Sequence, residues 1–445
     1  MAEPRYKAIV DDYIEQIRCG ILPPGTRLPT HRALAREKGV ALVTASRVYQ
    51  ELEKMGLVSG EAGRGTFVRD TELAPGHGID QPEKIEGALD LNFNSALLSD
   101  QTQLLRLGLR QLAASGELEA LLHYQPHGGR MRDRRIISAY IQRHGVFVKP
   151  EQLLIVSGAQ HGLSVALESL FKPGDVIAAD QFTYSGFKVA AEERGIELVA
   201  IPAKASGPDL SVLEQLCARR RVCGLYLMPT LHNPMGWVLS HSERESLVAV
   251  ARKHDLIIIE DGAYAFLHEG APAPIVSLAP ERTLYVSGFS KSAATGLRVG
   301  YVAAPEEWIP RLERAIRISI WNTPALMVAL VCQWIQDGTL SRLESGKRLD
   351  AAIRQKKAND ELADFDLTGH PNAYHLWLPL PEEVRADQVV AGLKRERVLV
   401  STAEPFTISA HVPHALRIAL GSVTIKELQE GLRSIKKTIV HLMYP

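Results

Sequence analysis

The chain has 445 residues, and 51 lysine and arginine side chains are balanced by 51 aspartates and glutamates. This balance excludes a protein that is basic along its whole length, so a nucleic-acid partner would need a local binding patch. The four cysteines contain no Cys-x-x-Cys pair, so no zinc ribbon, dithiol site or other metal site is expected. Acidic residues near the N-terminus and apolar runs far shorter than about 20 residues predict a cytoplasmic protein with no membrane partner.

The first 70 residues predict three helices followed by a hairpin. Apolar residues recur at helical spacing over residues 6–17, and a Leu-Pro-Pro-Gly sequence ends that helix. Thr30 is expected to cap a second helix over residues 31–38, and a third extends over about residues 42–55. Residues 57–68 predict two short strands around a glycine-rich turn. This order is typical of a winged helix-turn-helix, whose third helix lies in the major groove.

The sequences ILPPGTRLPTHRALAREKGV, TASRVYQELEKMGLV and GRGTFV resemble the GntR class of bacterial repressor heads over residues 6–68. The resemblance implies a double-stranded DNA operator as partner, contacted by Arg32, Thr44, Ser46, Arg47, Arg64 and Gly65. Many relatives carry polar residues where this chain has Ala41-Leu42-Val43. Thymine methyl groups could replace the missing polar contacts, or the affinity could be lower. A helical dimerisation cap with a surface hairpin is the simpler alternative for this segment.

Residues 71–90 are rich in glycine, proline and charge and show no helical or strand period, which predicts a linker. It separates a head of residues 1–70 from a body of residues 91–445. The head contains 11 lysines and arginines against 9 aspartates and glutamates, a net charge of +2 that leaves −2 for the remainder. Because a +2 head is weakly basic for a DNA-binding unit, useful affinity is expected to need two heads in a dimer.

The body alternates strand-like and helical runs. Six apolar runs read as strands: LLIVS, DVIAAD, LVAIP, VCGLYLMP, LIIIE and TLYVS. The alternation predicts an α/β fold with a mostly parallel sheet and helices on both faces. Ligands of such sheets bind at the carboxyl ends of the strands. Four of these ends carry polar groups, namely residues 157–160, residues 232–236, Asp261, and Lys291 with Arg298.

These groups together resemble the fold-type I pyridoxal-phosphate enzymes of the aspartate aminotransferase family. The resemblance rests on Asp-x-x-Tyr at 261–264, on an asparagine 28 residues before that aspartate, and on Ser-Lys followed by Gly-Leu-Arg. It spans residues 91–445 and implies a pyridoxal 5′-phosphate cofactor and a smaller C-terminal subdomain. By this resemblance, Lys291 forms the Schiff base with the cofactor and Asp261 pairs with its ring nitrogen.

The resemblance assigns the other cofactor contacts as well. Asn233 and Tyr264 hydrogen-bond the ring hydroxyl, and Tyr184 stacks on the ring. The phosphate is held by Ala159, Gln160, Ser290 and Arg298, and by Tyr124 from the neighbouring subunit. Arg417 binds the α-carboxylate of a substrate or effector.

Structural roles remain open for three of these residues. Tyr184 could be a core residue, Tyr124 could lie at the start of a helix, and Arg417 could be a surface charge on a strand. The sequence also departs from the family at Gly288, where a hydroxyl usually helps to bind the phosphate. Ser287 or Ser290 could replace it, or the phosphate affinity could be reduced.

A GntR head joined by a linker to an aminotransferase-like body is similar to the layout of the MocR regulators. This resemblance implies a PLP-dependent transcriptional regulator that acts as a head-to-tail homodimer. Its effector would be pyridoxal phosphate itself or a small amine or amino acid. The alternative is an active aminotransferase with an appended regulatory head, because Lys291, Asp261 and Arg417 would suffice for transamination.

Overall fold

The computed structural model describes residues 5–61, 64–69, 87–116, 118–204, 206–409 and 412–444. Most of the predicted linker, residues 71–86, lies outside these described residues. The last two linker residues, Leu89–Asp90, form a strand. Within the described ranges, no helix is both long enough and apolar enough to cross a membrane.

The N-terminal unit is a winged helix-turn-helix, as predicted. Its elements are α1 (Arg5–Arg18), α2 (His31–Glu37), α3 (Leu42–Lys54), β1 (Val58–Glu61) and β2 (Gly65–Val68). The hydroxyl of Thr30 accepts a hydrogen bond from the Ala33 amide at 3.2 Å, which confirms the predicted cap of α2. Ala41 precedes α3 and offers no such cap. Leu34 and Leu52 are fully buried in a small core shared by the three helices and the hairpin.

A large α/β region follows the head. Its elements are β3 (Leu89–Asp90), α4 (Gln101–Ala114), α5 (Leu118–Leu121), α6 (Met131–Ile141), β4 (Leu153–Val156), α7 (Ala159–Leu170), β5 (Val176–Asp180), α8 (Ser185–Glu192), β6 (Glu197–Ile201), α9 (Leu210–Arg219), β7 (Gly224–Leu227), α10 (His241–Lys253), β8 (Ile257–Asp261), α11 (Ile275–Leu278), β9 (Thr283–Gly288), α12 (Phe289–Ser292), β10 (Gly300–Ala303), α13 (Ile309–Ile320), α14 (Ala325–Gln336) and α15 (Thr339–Glu361). All six predicted strands are present.

Seven of these strands form one sheet in the order β4-β10-β9-β8-β7-β5-β6. Only β10 runs antiparallel to its neighbours in this sheet. Successive residues of β9 point to opposite faces: Val286 packs in a core cluster with α7 and α8, and Tyr285 packs with α6 and α14. The mostly parallel sheet with helices on both faces is therefore confirmed.

The chain ends in a smaller subdomain. Its elements are β11 (Thr368–Gly369), β12 (His375–Pro379), α16 (Ala386–Arg395), β13 (Val398–Leu399), β14 (Ser401–Thr402), β15 (Ala415–Ala419) and α17 (Ile425–Met443). An antiparallel sheet of order β11-β12-β15-β14 shares an apolar core with α16 and α17. Strand β3 pairs in parallel with β13, so the chain enters the body through this subdomain.

Candidate cofactor site and DNA-binding head

A cavity of about 640 Å³ lies at the carboxyl edge of the large sheet, where the C-terminal subdomain meets it. Buried aspartates end the two strands that flank β7, Asp180 on β5 and Asp261 on β8. Ten of the body residues predicted from the sequence line this cavity: Ala159, Gln160, Tyr184, Asn233, Asp261, Tyr264, Ser290, Lys291, Arg298 and Arg417. The fold therefore brings together residues that lie up to 258 positions apart in the chain.

Asp261 is fully buried at the end of β8. Its carboxylate accepts one hydrogen bond from the Tyr226 hydroxyl and one from the Ala263 amide, both at 2.9 Å. Burial nevertheless raises the pKa of Asp261 to about 6. A cationic ring nitrogen beside this carboxylate would offset the cost of burying its charge. Tyr226 escaped the sequence prediction because a tyrosine inside an apolar strand gives no functional signal.

Lys291 lies in the short helix α12 and points into the cavity. Its ammonium group donates a hydrogen bond to the Asn94 carbonyl at 2.7 Å and lies 5.8 Å from the centroid of the Tyr264 ring. Behind it, the buried Lys347 donates to the carbonyls of Lys291 and Ala293 at 2.8 and 2.7 Å. Burial lowers the pKa of Lys347 to about 7. Asn94 and Lys347 were not predicted, because they are distant in sequence from every motif of the site.

The start of α7 forms an anion site with Arg298 and Ser290. The Arg298 guanidinium donates to the Ser290 hydroxyl at 3.1 Å and to the Ser157 carbonyl at 3.2 Å. Gly158 precedes α7 with a φ of +84°, and a Cβ there would lie 2.6 Å from the Arg298 guanidinium. Free amides at a helix N-terminus, a guanidinium and a hydroxyl are the donors that a phosphate group requires.

The geometry around Gly288 explains the missing hydroxyl. A Cβ at this position would lie 3.0 Å from the Val299 carbonyl oxygen, so that the neighbouring backbone would have to move by a few tenths of an ångström. The Ser287 hydroxyl is directed elsewhere, because it donates to the Gly262 carbonyl at 3.1 Å. Ser290 is therefore the serine that lies beside Arg298, and Ser287 is excluded as a substitute for the missing hydroxyl.

The middle of the cavity carries polar groups that suit the ring of the cofactor. The buried carbonyl oxygen of the Asn233 side chain has no hydrogen-bond partner among the described residues. The Tyr264 hydroxyl lies 3.2 Å from the Asn94 side chain. Tyr184 precedes α8 and lines the cavity, and burial raises the pKa of its hydroxyl. An unpartnered buried amide oxygen indicates that a ligand group completes the site.

Arg417 lies in the middle of β15 and is only 4% exposed, which excludes a surface charge on a strand. One terminal nitrogen donates to the Asn92 carbonyl, and the buried Nε has no partner among the described residues. Burial lowers the pKa of this guanidinium. Among the described residues it forms no ion pair, so a carboxylate ligand would both pair its charge and satisfy its free donor.

Tyr124 does not line the cavity of its own chain. It is 88% exposed, and its ring centroid lies 5.7 Å from that of Trp321. Other exposed large apolar side chains lie in the same two segments, residues 107–124 and 318–326, namely Leu107, Leu109, Leu118, Leu122, Ile318, Ile320 and Leu326. We call these side chains, with Tyr124 and Trp321, the apolar face.

The predicted DNA contacts of the helices lie on α2 and α3. Arg32 and Arg47 are exposed, and Thr44 is half-buried. The Ser46 hydroxyl is hydrogen-bonded to His31 at 2.9 Å, and the Arg47 guanidinium lies 4.2 Å from the centroid of the Tyr6 ring. Ser46 and Arg47 are therefore partly engaged inside the head.

The wing, which is the β1–β2 hairpin with the following Arg69, contacts the C-terminal subdomain. Arg64, at the tip, donates to the Glu382 carbonyl at 2.5 Å, and Gly65 follows with a φ of +126°. Glu61 forms an ion pair with Arg385, and Arg69 forms one with Glu404. The side chain of Arg64 therefore contacts the body in this structure. The DNA contacts of Arg64 and Gly65 stay predictions.

The sheet, with its lysine, aspartate and anion site at the carboxyl edge, defines an aminotransferase-like protein with pyridoxal 5′-phosphate as cofactor. The chain belongs to the aminotransferase class I and II family, which it matches over residues 87–435. Residues 5–68 match the gntR family of bacterial regulatory proteins. The two matches in one chain make it a DNA-binding transcriptional regulator of the GntR/MocR type.

Similar proteins include regulators and enzymes. The chain is 28% identical to the "Uncharacterized HTH-type transcriptional regulator YdeF" of Bacillus subtilis, over 98% of this chain and 95% of that protein. It is 27% identical to the 2-aminoadipate transaminase of Thermus thermophilus, over 73% of this chain and 83% of the enzyme. The crystal structure of an archaeal alanine:glyoxylate aminotransferase shares the fold, with a TM-score of 0.75 at 23% identity over 80% of this chain and 92% of that one.

Proposed function

We propose that this regulator senses an amino compound, or pyridoxal phosphate itself, in its body and transmits binding to its DNA-binding head. The head comprises residues 1–70, the linker residues 71–90 and the body residues 91–445. One observation carries the proposal: the wing contacts a short turn, Glu404–Phe406, whose last residue lines the cavity. A ligand in the cavity would therefore contact one end of this turn, and the head contacts the other end.

The cofactor contacts follow from the chemistry of the cavity. When bound, pyridoxal phosphate supplies an aldehyde that reacts reversibly with amines and a ring that accepts electrons. Lys291 holds the aldehyde, and Asp261 holds a proton on the ring nitrogen. Ser290, Arg298 and the α7 amides of Ala159 and Gln160 bind the phosphate. Asn233 and Tyr264 bind the ring hydroxyl, and Tyr184 packs against the ring.

The effector contact follows from Arg417. A buried guanidinium with a free donor favours a ligand that carries a carboxylate, which can pair with it in a bidentate manner. The amine of the same ligand would compete with Lys291 for the cofactor aldehyde. An α-amino acid satisfies both requirements. Pyridoxal phosphate alone carries neither a carboxylate for Arg417 nor an amine that competes with Lys291.

The coupling to DNA follows from the turn between cavity and wing. The Phe406 carbonyl accepts a hydrogen bond from the Thr183 amide at 2.7 Å, so this turn is also tied to the segment that precedes α8. A ligand that changes the position of Phe406 changes the position of Glu404 and hence its ion pair with Arg69. Such a ligand shifts the head only to the extent that it binds the two arrangements with different affinities.

The functional unit is a head-to-tail homodimer that acts in the cytoplasm on operator DNA. The apolar face supports this arrangement, because its two segments meet at Tyr124 and Trp321 and exposed apolar patches mark association sites. Tyr124 lies on that face and would reach the phosphate of the partner subunit. Two weakly basic heads in one dimer would supply the DNA affinity that a single head lacks.

An active aminotransferase with a regulatory head is the second candidate. The similarity to a 2-aminoadipate transaminase and the presence of Lys291, Asp261 and Arg417 in one cavity favour it. In that case the cavity would turn over amino acids rapidly, whereas a sensor needs only to bind them.

One experiment separates the two functions. The full-length protein, loaded with pyridoxal phosphate, is assayed for retention of specific DNA fragments with and without a panel of amino acids, and for transaminase turnover on the same panel. We expect selective DNA binding that changes with one class of amino compound, together with slow or absent turnover. Fast turnover without selective DNA binding would contradict the regulator and support the enzyme.

A further inference from the structure

The first turn of the recognition helix α3 carries two exposed aliphatic side chains. Val43 is 80% exposed and Leu42 is 48% exposed, although a large apolar side chain on a small unit is usually buried. In helix-turn-helix proteins, the N-terminal residues of this helix contact the edges of the base pairs. The part of the head that faces bases is therefore apolar at its tip.

Two polar side chains of α3 are engaged inside the head, and two arginines of α2 are exposed. The hydroxyl of Ser46 is bound to His31, and the guanidinium of Arg47 lies over Tyr6. Arg32 and Arg36 on α2 are exposed, and the first turn of α3 contains no acidic residue. The helix-turn-helix therefore exposes positive charge on α2 and carries no acidic residue in the first turn of α3, which suits a polyanionic DNA backbone.

We infer that Val43 determines operator specificity by packing against the 5-methyl groups of thymines in the major groove, with Leu42 extending the same contact. The thymine methyl is the apolar group that the major groove displays, and it is the one a valine can recognise there. This inference rests on the proposed regulator function, and it names the base that the head reads. The departure at residues 41–43 thus replaces hydrogen-bond readout by a van der Waals contact.

The test removes single methyl groups from the DNA. Fragments that the cofactor-loaded full-length protein enriches from a random-sequence pool are resynthesised with each thymine replaced in turn by deoxyuridine, which lacks only that methyl. We expect affinity to fall about fourfold at the contacted positions, the effect of about one buried methyl group. Val43→Ala should bind the thymine fragment more weakly and should no longer distinguish thymine from deoxyuridine.

Ile21→Ala is the matched control, because Ile21 is an exposed aliphatic residue of the head, 68% accessible, outside α3. It should keep the full sensitivity to deoxyuridine, and circular dichroism should show that both variants are folded. Selective binding that ignores deoxyuridine would overturn the inference and leave the regulator function intact. Sensitivity that persists in Val43→Ala would assign the methyl contact to another residue and overturn the role of Val43. Failure to enrich any sequence would overturn the regulator function and this inference together.

Discussion

The guanidinium of Arg417 lies 5.5 Å from the centroid of the Phe406 ring. Phe406 ends the one-turn helix Glu404–Phe406, and Glu404 at its start pairs with Arg69 in the wing. The candidate carboxylate site and the DNA-binding head are therefore separated by a single turn of the chain.

Arg69→Ala should uncouple the head from the cavity. The ion pair with Glu404 joins the wing to the subdomain and belongs to the apolar core of neither, so the protein should stay folded. We expect DNA affinity to persist while its response to the effector falls severalfold, and the absorbance of the bound cofactor to stay unchanged. Fluorescence anisotropy of labelled DNA at increasing effector concentration measures this response.

Arg433→Ala is the control for this prediction, because it removes an ion pair with Glu361, 2.9 Å long, that involves no residue of the head. It should respond to the effector like the unaltered protein. An Arg69→Ala protein with a full response would show that the signal does not pass through the Glu404–Phe406 turn.

Arg417→Gln should weaken the response to an effector with an α-carboxylate by about 10- to 100-fold in concentration, the range expected for a lost charged hydrogen bond. Cofactor binding should be nearly intact, since Arg417 contacts none of the groups assigned to the phosphate or the ring nitrogen. A matched amine that lacks the carboxylate should act equally on both proteins. An unchanged response would indicate sensing of pyridoxal phosphate, or an effector without that carboxylate.

Lys291→Ala should abolish the visible absorbance of the lysine-bound cofactor. Lys347→Met is the informative comparison, because Lys347 is the buried lysine that donates to the Lys291 carbonyl. Its loss should leave the absorbance band in place. A band that survives in Lys291→Ala and disappears in the double variant would show that Lys347 carries the cofactor instead.

Asp261→Asn should stabilise the cofactor-free protein at high pH and weaken cofactor binding. The pKa of Asp261 is about 6 in the folded protein and 3.8 without burial, so the folded state binds this proton more tightly. The resulting stabilisation is present below about pH 4 and is lost as the pH rises through 6. At pH 8 the buried carboxylate costs about 3 kcal/mol, which the asparagine avoids.

Urea unfolding of the cofactor-free protein at pH 5 and pH 8 measures this difference. Asp255→Asn is the control, because the Asp255 side chain is 98% exposed and its removal should give no pH-dependent gain. An equal gain for Asp261→Asn at both pH values would show that the carboxylate is not the source of the effect.

Mixed dimers test whether Tyr124 acts in the partner subunit. Tyr124→Ala and Lys291→Ala chains are combined, so that each dimer contains one copy of each. If Tyr124 reaches the neighbouring site, the one site with an intact Lys291 also receives an intact Tyr124, and it should bind pyridoxal phosphate as tightly as the unaltered protein. Weak binding at every site would assign Tyr124 to the site of its own chain. Tight binding by the Tyr124→Ala homodimer would remove Tyr124 from the site.

The sequence alone determined the two-part architecture, because apolar periodicity specifies helices and strands and because turn residues stand between them. It also predicted ten residues that line the cavity, through their resemblance to the motifs of the aminotransferase family. Tertiary structure decided which groups complete them. Asn94, Tyr226 and Lys347 reach the site from distant segments and carry no local signal.

The tertiary structure also decided questions that the sequence left open. The choice of Ser290 over Ser287 depended on where each hydroxyl points, and the burial of Arg417 depended on the strands that flank β15. The contact of Arg64 with Glu382 depended on how the wing meets the subdomain. A sequence pattern reports the properties of neighbours along the chain, whereas burial, pairing and pKa depend on neighbours in space.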